Sequence, residues 1–110
     1  MEISYQNIWI KNNQQMRKEE LPPDFIEQGI SLYEVLRVID GVPLFLEQHL
    51  ERLKNSAKLT NLELPLNDKE VSQRLQDLIS SNRVENGNIK FVINYTEPGK
   101  PADFYAYFVE

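Results

Sequence analysis

The chain has 110 residues, of which 41% are apolar and 26% charged, values typical of a single globular domain that can bury a core. Its lack of cysteine excludes a disulfide scaffold, a thiolate metal site and a cysteine nucleophile. Because the formal net charge is -5, we expect no nucleic-acid partner. Because no apolar run approaches the roughly 18 residues of a membrane span and no secretory leader is present, we expect no membrane insertion and a cytoplasmic location.

The N-terminal quarter predicts little regular structure. An imperfect alternation of apolar residues over positions 3–11 indicates a strand. The polar positions 12–15 are typical of a turn, and Pro22-Pro23 excludes a helix because proline lacks an N–H and restricts the residue before it. We therefore expect loop with short strand pieces from position 12 to position 24.

A strand and a hairpin follow Gly29. The alternation places two sets of side chains on opposite faces: Ile30, Leu32, Leu36 and Val38 on one, and Ser31, Tyr33, Val35, Arg37 and Ile39 on the other. Asp40-Gly41 tolerates the positive φ angles of a two-residue hairpin turn. Pro43 cannot donate to a ladder, so the returning strand is predicted to be short or to lie at an edge.

Two helices and two strands complete the chain. Apolar residues at helical spacing predict a first helix over 46–59. Asn67 and Glu70 have the spacing of a capping box, which predicts the start of a second helix that ends before Asn86-Gly87. Positions 89–95 and 104–109 predict strands joined across 97–101. The order predicts one α+β domain over residues 1–110, a mostly antiparallel sheet with two helices packed on it.

Several chemistries lack their signatures in the sequence. The four glycines lie too far apart for a phosphate-binding loop. His49 is the sole histidine, so a zinc site built on several histidines or cysteines is excluded, and no Gly-x-Ser-x-Gly elbow is present. Adjacent acids such as Glu19-Glu20 fall in polar stretches, which is typical of a solvated surface.

One ordered set of residues points to a chemistry. Taken singly, Tyr33 could be a packed strand residue, His49 a helix-surface residue and Arg52 a solvated cation. In order, however, the set resembles the N-terminal domain of the class IV (fold-type IV) pyridoxal-phosphate enzymes, which include branched-chain and D-amino-acid transaminases and aminodeoxychorismate lyase. The matching positions are Gly29, Tyr33-Glu34, Arg37, Asp40-Gly41, His49-Leu50-Glu51-Arg52-Leu53 and Ser56-Ala57.

The resemblance implies roles for individual residues. Arg52 looks like the arginine that holds the cofactor phosphate, a role that suits a permanently charged guanidinium with forked donors. Tyr33 looks like the aromatic residue that lines the substrate side of the pocket. Ser31 and Arg37 share its strand face, although Arg37 could equally form an ordinary surface ion pair, and His49 could brace Arg52. We expect the Arg52 guanidinium to face inward, on the side of the Tyr33 hydroxyl.

The resemblance also implies a larger enzyme. The family's catalytic lysine, which binds pyridoxal phosphate covalently, lies in a second domain beyond the last residue of this sequence, and Lys90 is not expected to replace it. Lys100 stands near the place of an Arg-x-His pair that grips the substrate carboxylate in the D-amino-acid branch. The implied function is the N-terminal part of a homodimeric aminotransferase acting on an amino acid and a 2-oxo acid, inactive alone. A lyase fragment and a non-catalytic dimerisation or regulatory domain are the alternatives.

Overall fold

The computed structural model describes residues 6–20, 29–97 and 99–110, which form an antiparallel sheet and two α-helices. The elements in chain order are β1 (Ile8–Lys11), β2 (Gln14–Arg17), a 3-10 turn (Lys18–Glu20), β3 (Ile30–Ile39), β4 (Val42–Pro43), α1 (Leu46–Leu59), α2 (Asp68–Asn82), β5 (Gly87–Tyr95) and β6 (Asp103–Val109). The spatial order of the strands is β2-β1-β6-β5-β3-β4, and every pair is antiparallel. The α+β class predicted from the sequence is confirmed.

The N-terminal hairpin is shorter than the sequence pattern suggests. Within the strand predicted over 3–11, β1 occupies Ile8–Lys11, and positions 3–5 lie outside the described residues. The polar segment after it turns back into β2, with Asn12 at a φ of 57°, a conformation that asparagine tolerates. The predicted loop around Pro22-Pro23 also lies outside the described residues.

The long strand β3 follows its predicted alternation. Leu32, Leu36 and Val38 are buried on the face that α1 covers, whereas the alternate residues are partly or largely exposed. Asp40 and Gly41 have φ angles of 52° and 77°, as a two-residue hairpin turn requires, and Ile39 pairs with Val42. The returning strand β4 is two residues long and ends at Pro43, at the edge of the sheet.

The main core lies between the helices and one face of the sheet. Its members include Leu50, Leu53, Ala57, Val71, Leu75, Leu78, Leu36, Ile89, Phe91, Phe104 and Phe108. A second cluster, of Trp9, Val92, Tyr105 and Tyr107, lies on the other face of the sheet, where the rings of Trp9 and Tyr105 stack at 5.8 Å. Helix α1 has the predicted bounds, and α2 ends before Asn86-Gly87 as predicted. Asn67 and Glu70 form the predicted capping box. Neither helix is long and apolar enough to cross a bilayer within the described ranges.

Two tyrosines, Tyr95 partly buried and Tyr105 buried, make the stability of the fold sensitive to alkaline pH. Burial raises the pKa of Tyr95 and of Tyr105 above the ordinary value of 10.0, and the nearby Asp103 adds to the effect on Tyr105. The folded chain therefore holds these two protons more tightly than the unfolded chain does. The associated stability is fully present below about pH 10 and is lost as the pH rises above it.

We expect the free energy of unfolding to fall as the pH is raised from 9 to 11, and to fall less steeply in the double variant Tyr95→Phe/Tyr105→Phe. Urea denaturation at each pH measures both slopes. The double variant also removes the hydrogen bond that the Tyr95 hydroxyl donates to the Glu63 carbonyl, so its stability at pH 8 is the baseline for the comparison. An equal slope in the two proteins would show that other groups cause the alkaline loss.

Candidate functional site

Arg52 extends from α1 beside the buried stripe of that helix. Its neighbour Leu53 is 2% exposed, whereas the Arg52 side chain is 74% exposed. The Arg52 Nε atom lies 3.5 Å from Oε2 of Glu34. Among residues 6–20, 29–97 and 99–110, this is the one ion pair that the guanidinium makes, and its terminal nitrogens have no hydrogen bond. Those nitrogens are accessible to an anion.

Glu34 links Arg52 to His49. It is 5% exposed and lies on the helix-facing side of β3. Its Oε1 atom is 2.7 Å from Nδ1 of His49, and its Oε2 atom faces Arg52. The sequence suggests that His49 braces Arg52 directly, but in the structure both side chains contact the carboxylate of Glu34 instead.

Tyr33 occupies the opposite face of β3. It is 58% exposed and pairs across the sheet with Val92 of β5. Lys90, on the same face, places its Nζ atom 4.4 Å from the centroid of the Tyr33 ring, a distance suited to a cation–π contact. This contact concentrates positive charge beside an exposed phenol.

The structure does not bring Arg52 and Tyr33 to one side of the sheet, and the expectation that the guanidinium faces inward is wrong for this chain. Tyr33 and Glu34 are consecutive in a strand, so their side chains point to opposite faces, and α1 packs on the face of Glu34. The two predicted residues nevertheless both lie at β3, because Tyr33 belongs to this strand and Arg52 contacts its Glu34. In the described part of the chain, β4 pairs only with Val38 and Ile39, which leaves positions 30–36 of β3 as a free edge.

The other predicted side chains lie further along the face of Tyr33. Arg37 donates from Nη1 to Oδ1 of Asn88 at 3.4 Å on the exposed surface, a cross-strand hydrogen bond to a neutral amide. The surface ion pair that the sequence left open as an alternative does not form among the described residues. Ser31 accepts a 2.8 Å hydrogen bond from Asn94 Nδ2. Lys100 lies outside the sheet and forms an ion pair of 3.0 Å with Glu97.

Sequence reasoning assigned no role to Glu34 or Lys90. The signal for Glu34 was present, because it occupies an apolar-face position between Leu32 and Leu36, where a carboxylate needs cationic partners. For Lys90 the sequence carries no such signal, because its contact with Tyr33 depends on the strand register. No three acidic or histidine side chains in the described ranges could hold a metal ion together.

The fold is that of the branched-chain amino acid aminotransferases. The enzyme from Escherichia coli superposes with a TM-score of 0.81 at 19% identity, over 94% of this chain and 41% of that one. The enzyme from Thermobaculum terrenum, in its M4 mutant form, gives a TM-score of 0.78 at 17% identity, over 94% of this chain and 38% of that one. A further enzyme of this kind, solved with N-(5'-phosphopyridoxyl)-L-glutamate, gives a TM-score of 0.81 at 20% identity, over 97% of this chain and 42% of that one. At these identities the likeness shows the fold alone.

Sequence comparison shows the family. The model of the family described as amino-transferase class IV matches residues 31–109, so this chain belongs to that family. The aminodeoxychorismate lyase of Bacillus subtilis is 30% identical over 66 residues, which are 60% of this chain and 22% of that protein. The D-alanine aminotransferase of Listeria monocytogenes is 28% identical over 82 residues, which are 71% of this chain and 28% of that protein. The chain thus spans less than a third of the length of these relatives.

Proposed function

We propose that this chain is the N-terminal domain of a longer, two-domain class IV aminotransferase that uses pyridoxal phosphate to transfer an amino group between an amino acid and a 2-oxo acid. The observation that carries the proposal is the Arg52 guanidinium, whose terminal nitrogens have no partner among the described residues. Arg52 and Tyr33 both lie within the segment that matches the family, and Arg52 contacts Glu34, the residue after Tyr33 in β3.

The Arg52 guanidinium has the hydrogen-bond donors that the cofactor phosphate needs. A guanidinium stays charged at physiological pH and offers two parallel N–H donors to phosphate oxygens. Pyridoxal phosphate, when bound, acts as an electron sink for the substrate's α-carbon. In this proposal Arg52 binds the phosphate, while the exposed Tyr33 hydroxyl donates a hydrogen bond to a substrate carboxylate from the opposite face.

The chain alone is proposed to be catalytically inactive. Transamination needs a lysine amine that moves a proton at the substrate's α-carbon, and the family places that lysine in its second domain. Lys90 is engaged with the face of the Tyr33 ring. The chain is therefore proposed to supply binding and orientation, and the second domain to supply the proton transfer.

The experiment compares two proteins, the 110-residue chain and a longer protein that contains it. The longer protein is expected to retain pyridoxal phosphate through purification, with a visible absorbance band that borohydride bleaches, and to transfer amino groups from an amino acid to a 2-oxo acid. The short chain is expected to do neither. A stoichiometric, borohydride-reducible adduct on one lysine of the short chain would contradict the proposed division of labour.

Aminodeoxychorismate lyase activity is the second candidate, and the Bacillus subtilis relative, at 30% identity, favours it. Both the lyase and the transaminases would need Arg52 to bind the cofactor phosphate, so this residue does not distinguish the two activities. An assay of the longer protein for release of an aromatic amine from aminodeoxychorismate, run beside the amino-transfer assay, separates the two. Lyase activity without amino transfer would replace the first candidate by the second.

We also propose that the complete protein is a homodimer. A row of large apolar side chains is exposed along the β3–β4 edge and the start of α1, and this row, the β3–β4 patch, consists of Tyr33, Val35, Ile39, Val42 and Phe45. Exposed apolar surface drives association. The cytoplasmic location and the lack of a nucleic-acid partner stay predictions from the sequence.

The isolated chain is expected to sediment as dimers or larger species, and Phe45→Asp is expected to shift it toward monomer, because Phe45 is 70% exposed within the β3–β4 patch. Aspartate tolerates the positive φ of 54° at this position. Leu59→Asp is the matched control, since Leu59 is 87% exposed at the far end of the same helix. Sedimentation equilibrium measures the mass. A monomeric wild-type chain, or equal effects of the two substitutions, would contradict the assignment of the patch.

A further inference from the structure

Glu34 is a charged side chain in a place where the sheet otherwise buries apolar groups. It is 5% exposed, between Leu32 and Leu36 on the helix-facing side of β3, and it lies opposite the fully buried Phe91 of β5. A carboxylate removed from water is costly unless cations and hydrogen-bond donors compensate it. A well-packed apolar residue of similar volume would fill the place without that cost. Core packing therefore does not account for a glutamate here.

Each oxygen of this carboxylate contacts a different side chain of α1. Oε1 is 2.7 Å from His49 Nδ1, and Oε2 is 3.5 Å from Arg52 Nε. His49 and Arg52 are three residues apart, so they are neighbours on the helix surface. Because a carboxylate can only accept a hydrogen bond, the Nδ1 atom of His49 must carry the hydrogen. One buried group thus fixes two side chains of the helix.

The contact at Nε determines how Arg52 is presented. A guanidinium is planar, and because Glu34 contacts it at Nε, the donors of the two terminal nitrogens stay available to another ligand. The contact also restrains a long side chain that is 74% exposed. Ordering a side chain in advance lowers the entropy that ligand binding must offset.

We propose that Glu34 is a positioning residue: it holds the Arg52 guanidinium by Nε so that the two terminal nitrogens face a phosphate group, while His49 anchors the other oxygen of the same carboxylate. The inference rests on the proposed function, in which Arg52 is the phosphate-binding residue. It adds that the affinity for phosphate depends on a buried residue that does not touch the ligand.

A double-mutant cycle on the longer, cofactor-binding protein tests this inference. Affinity for pyridoxal phosphate is measured for the wild type, Glu34→Gln, Arg52→Ala and the double variant. Glu34→Gln is expected to weaken binding about tenfold, the lower end of the effect that removing a supporting hydrogen-bond partner has on metal-ligating side chains. In the Arg52→Ala background it is expected to have no further effect, because Glu34 acts through Arg52. Glu47→Gln, at an exposed position of the same helix, is the matched control and should leave affinity unchanged.

The outcomes separate the inference from the proposed function. If Arg52→Ala leaves affinity unchanged, the phosphate role of Arg52 fails. If Arg52→Ala weakens binding but Glu34→Gln does not, or if Glu34→Gln weakens it equally in both backgrounds, the positioning role of Glu34 fails and the proposed function stands.

A second measurement does not need the cofactor. Nitrogen NMR of the wild-type 110-residue chain at pH 8 reports the tautomer of its single histidine, His49. The proposal requires the hydrogen on Nδ1, and a hydrogen on Nε2 would overturn it. In Glu34→Gln the Nδ1-H fraction is expected to fall, because a glutamine amide can present either its oxygen or its nitrogen to the ring.

Discussion

Replacing Arg52 with alanine is expected to weaken binding of pyridoxal phosphate to the proposed longer protein by about 1.5 to 3 kcal/mol, or roughly 10- to 150-fold, the range for a hydrogen bond to a charged group. The guanidinium has no other partner than Glu34 in the part of the chain that the structure describes, so its terminal donors are available to the phosphate. Arg52→Lys is expected to have an affinity between those of the wild type and Arg52→Ala, because lysine keeps the charge but lacks the planar pair of donors. Fluorescence titration of the cofactor-free protein measures the affinities.

The control for this substitution is Lys58→Ala, which removes an exposed cation from the same helix. It should leave the affinity unchanged within about twofold, since exposed charges at a distance are largely screened at physiological salt. Equal losses in Lys58→Ala and Arg52→Ala would indicate a general effect of helix charge. An unchanged affinity in Arg52→Ala would reduce this arginine to an ordinary surface cation.

Replacing Phe91 with alanine is expected to lower the free energy of unfolding by about 3 to 5 kcal/mol, the range for deleting a buried aromatic ring. Phe91 is fully buried in the middle of β5, and its ring centroid lies 6.4 Å from that of Phe104 in β6. Its removal opens a cavity between the two central strands and the helices, where the structure can collapse only in part. Urea denaturation followed by circular dichroism measures the change.

Phe45→Ala is the matched control, because it deletes the same ring at a position that is 70% exposed. It is expected to change the free energy of unfolding by no more than about 0.5 kcal/mol. A loss below about 1 kcal/mol in Phe91→Ala would contradict the burial of this ring in the core.

The elements that the sequence predicted well are those with strong local signals. The helix predicted over 46–59 has these bounds because an apolar stripe at helical spacing begins at Leu46. Asn67 and Glu70 fix the start of α2 because the side chain of each hydrogen-bonds the backbone of the other. Asp40-Gly41 fixes the hairpin because its positive φ angles suit few other residues. The strand predicted over 3–11 was too long, since alternation there is weak and sheet pairing, not local pattern, decides where a strand begins.

The arrangement of the candidate site depends on contacts that only the fold determines. The strand period placed Ser31, Tyr33 and Arg37 on one face, and the structure agrees. It did not show that Arg52 would come from the helix on the other face, because the side of the sheet on which α1 packs is a tertiary choice. The contacts of Glu34 with His49 and Arg52 join residues 15 and 18 positions apart, beyond the reach of any local spacing rule.

A crystal structure of the longer protein with pyridoxal phosphate bound is the most direct measurement of where the phosphate lies. We expect phosphate oxygens within hydrogen-bonding distance of the terminal nitrogens of Arg52, at the free edge of β3, with Glu34 still against Nε. A phosphate held entirely by other residues, with the Arg52 guanidinium in solvent, would contradict the account.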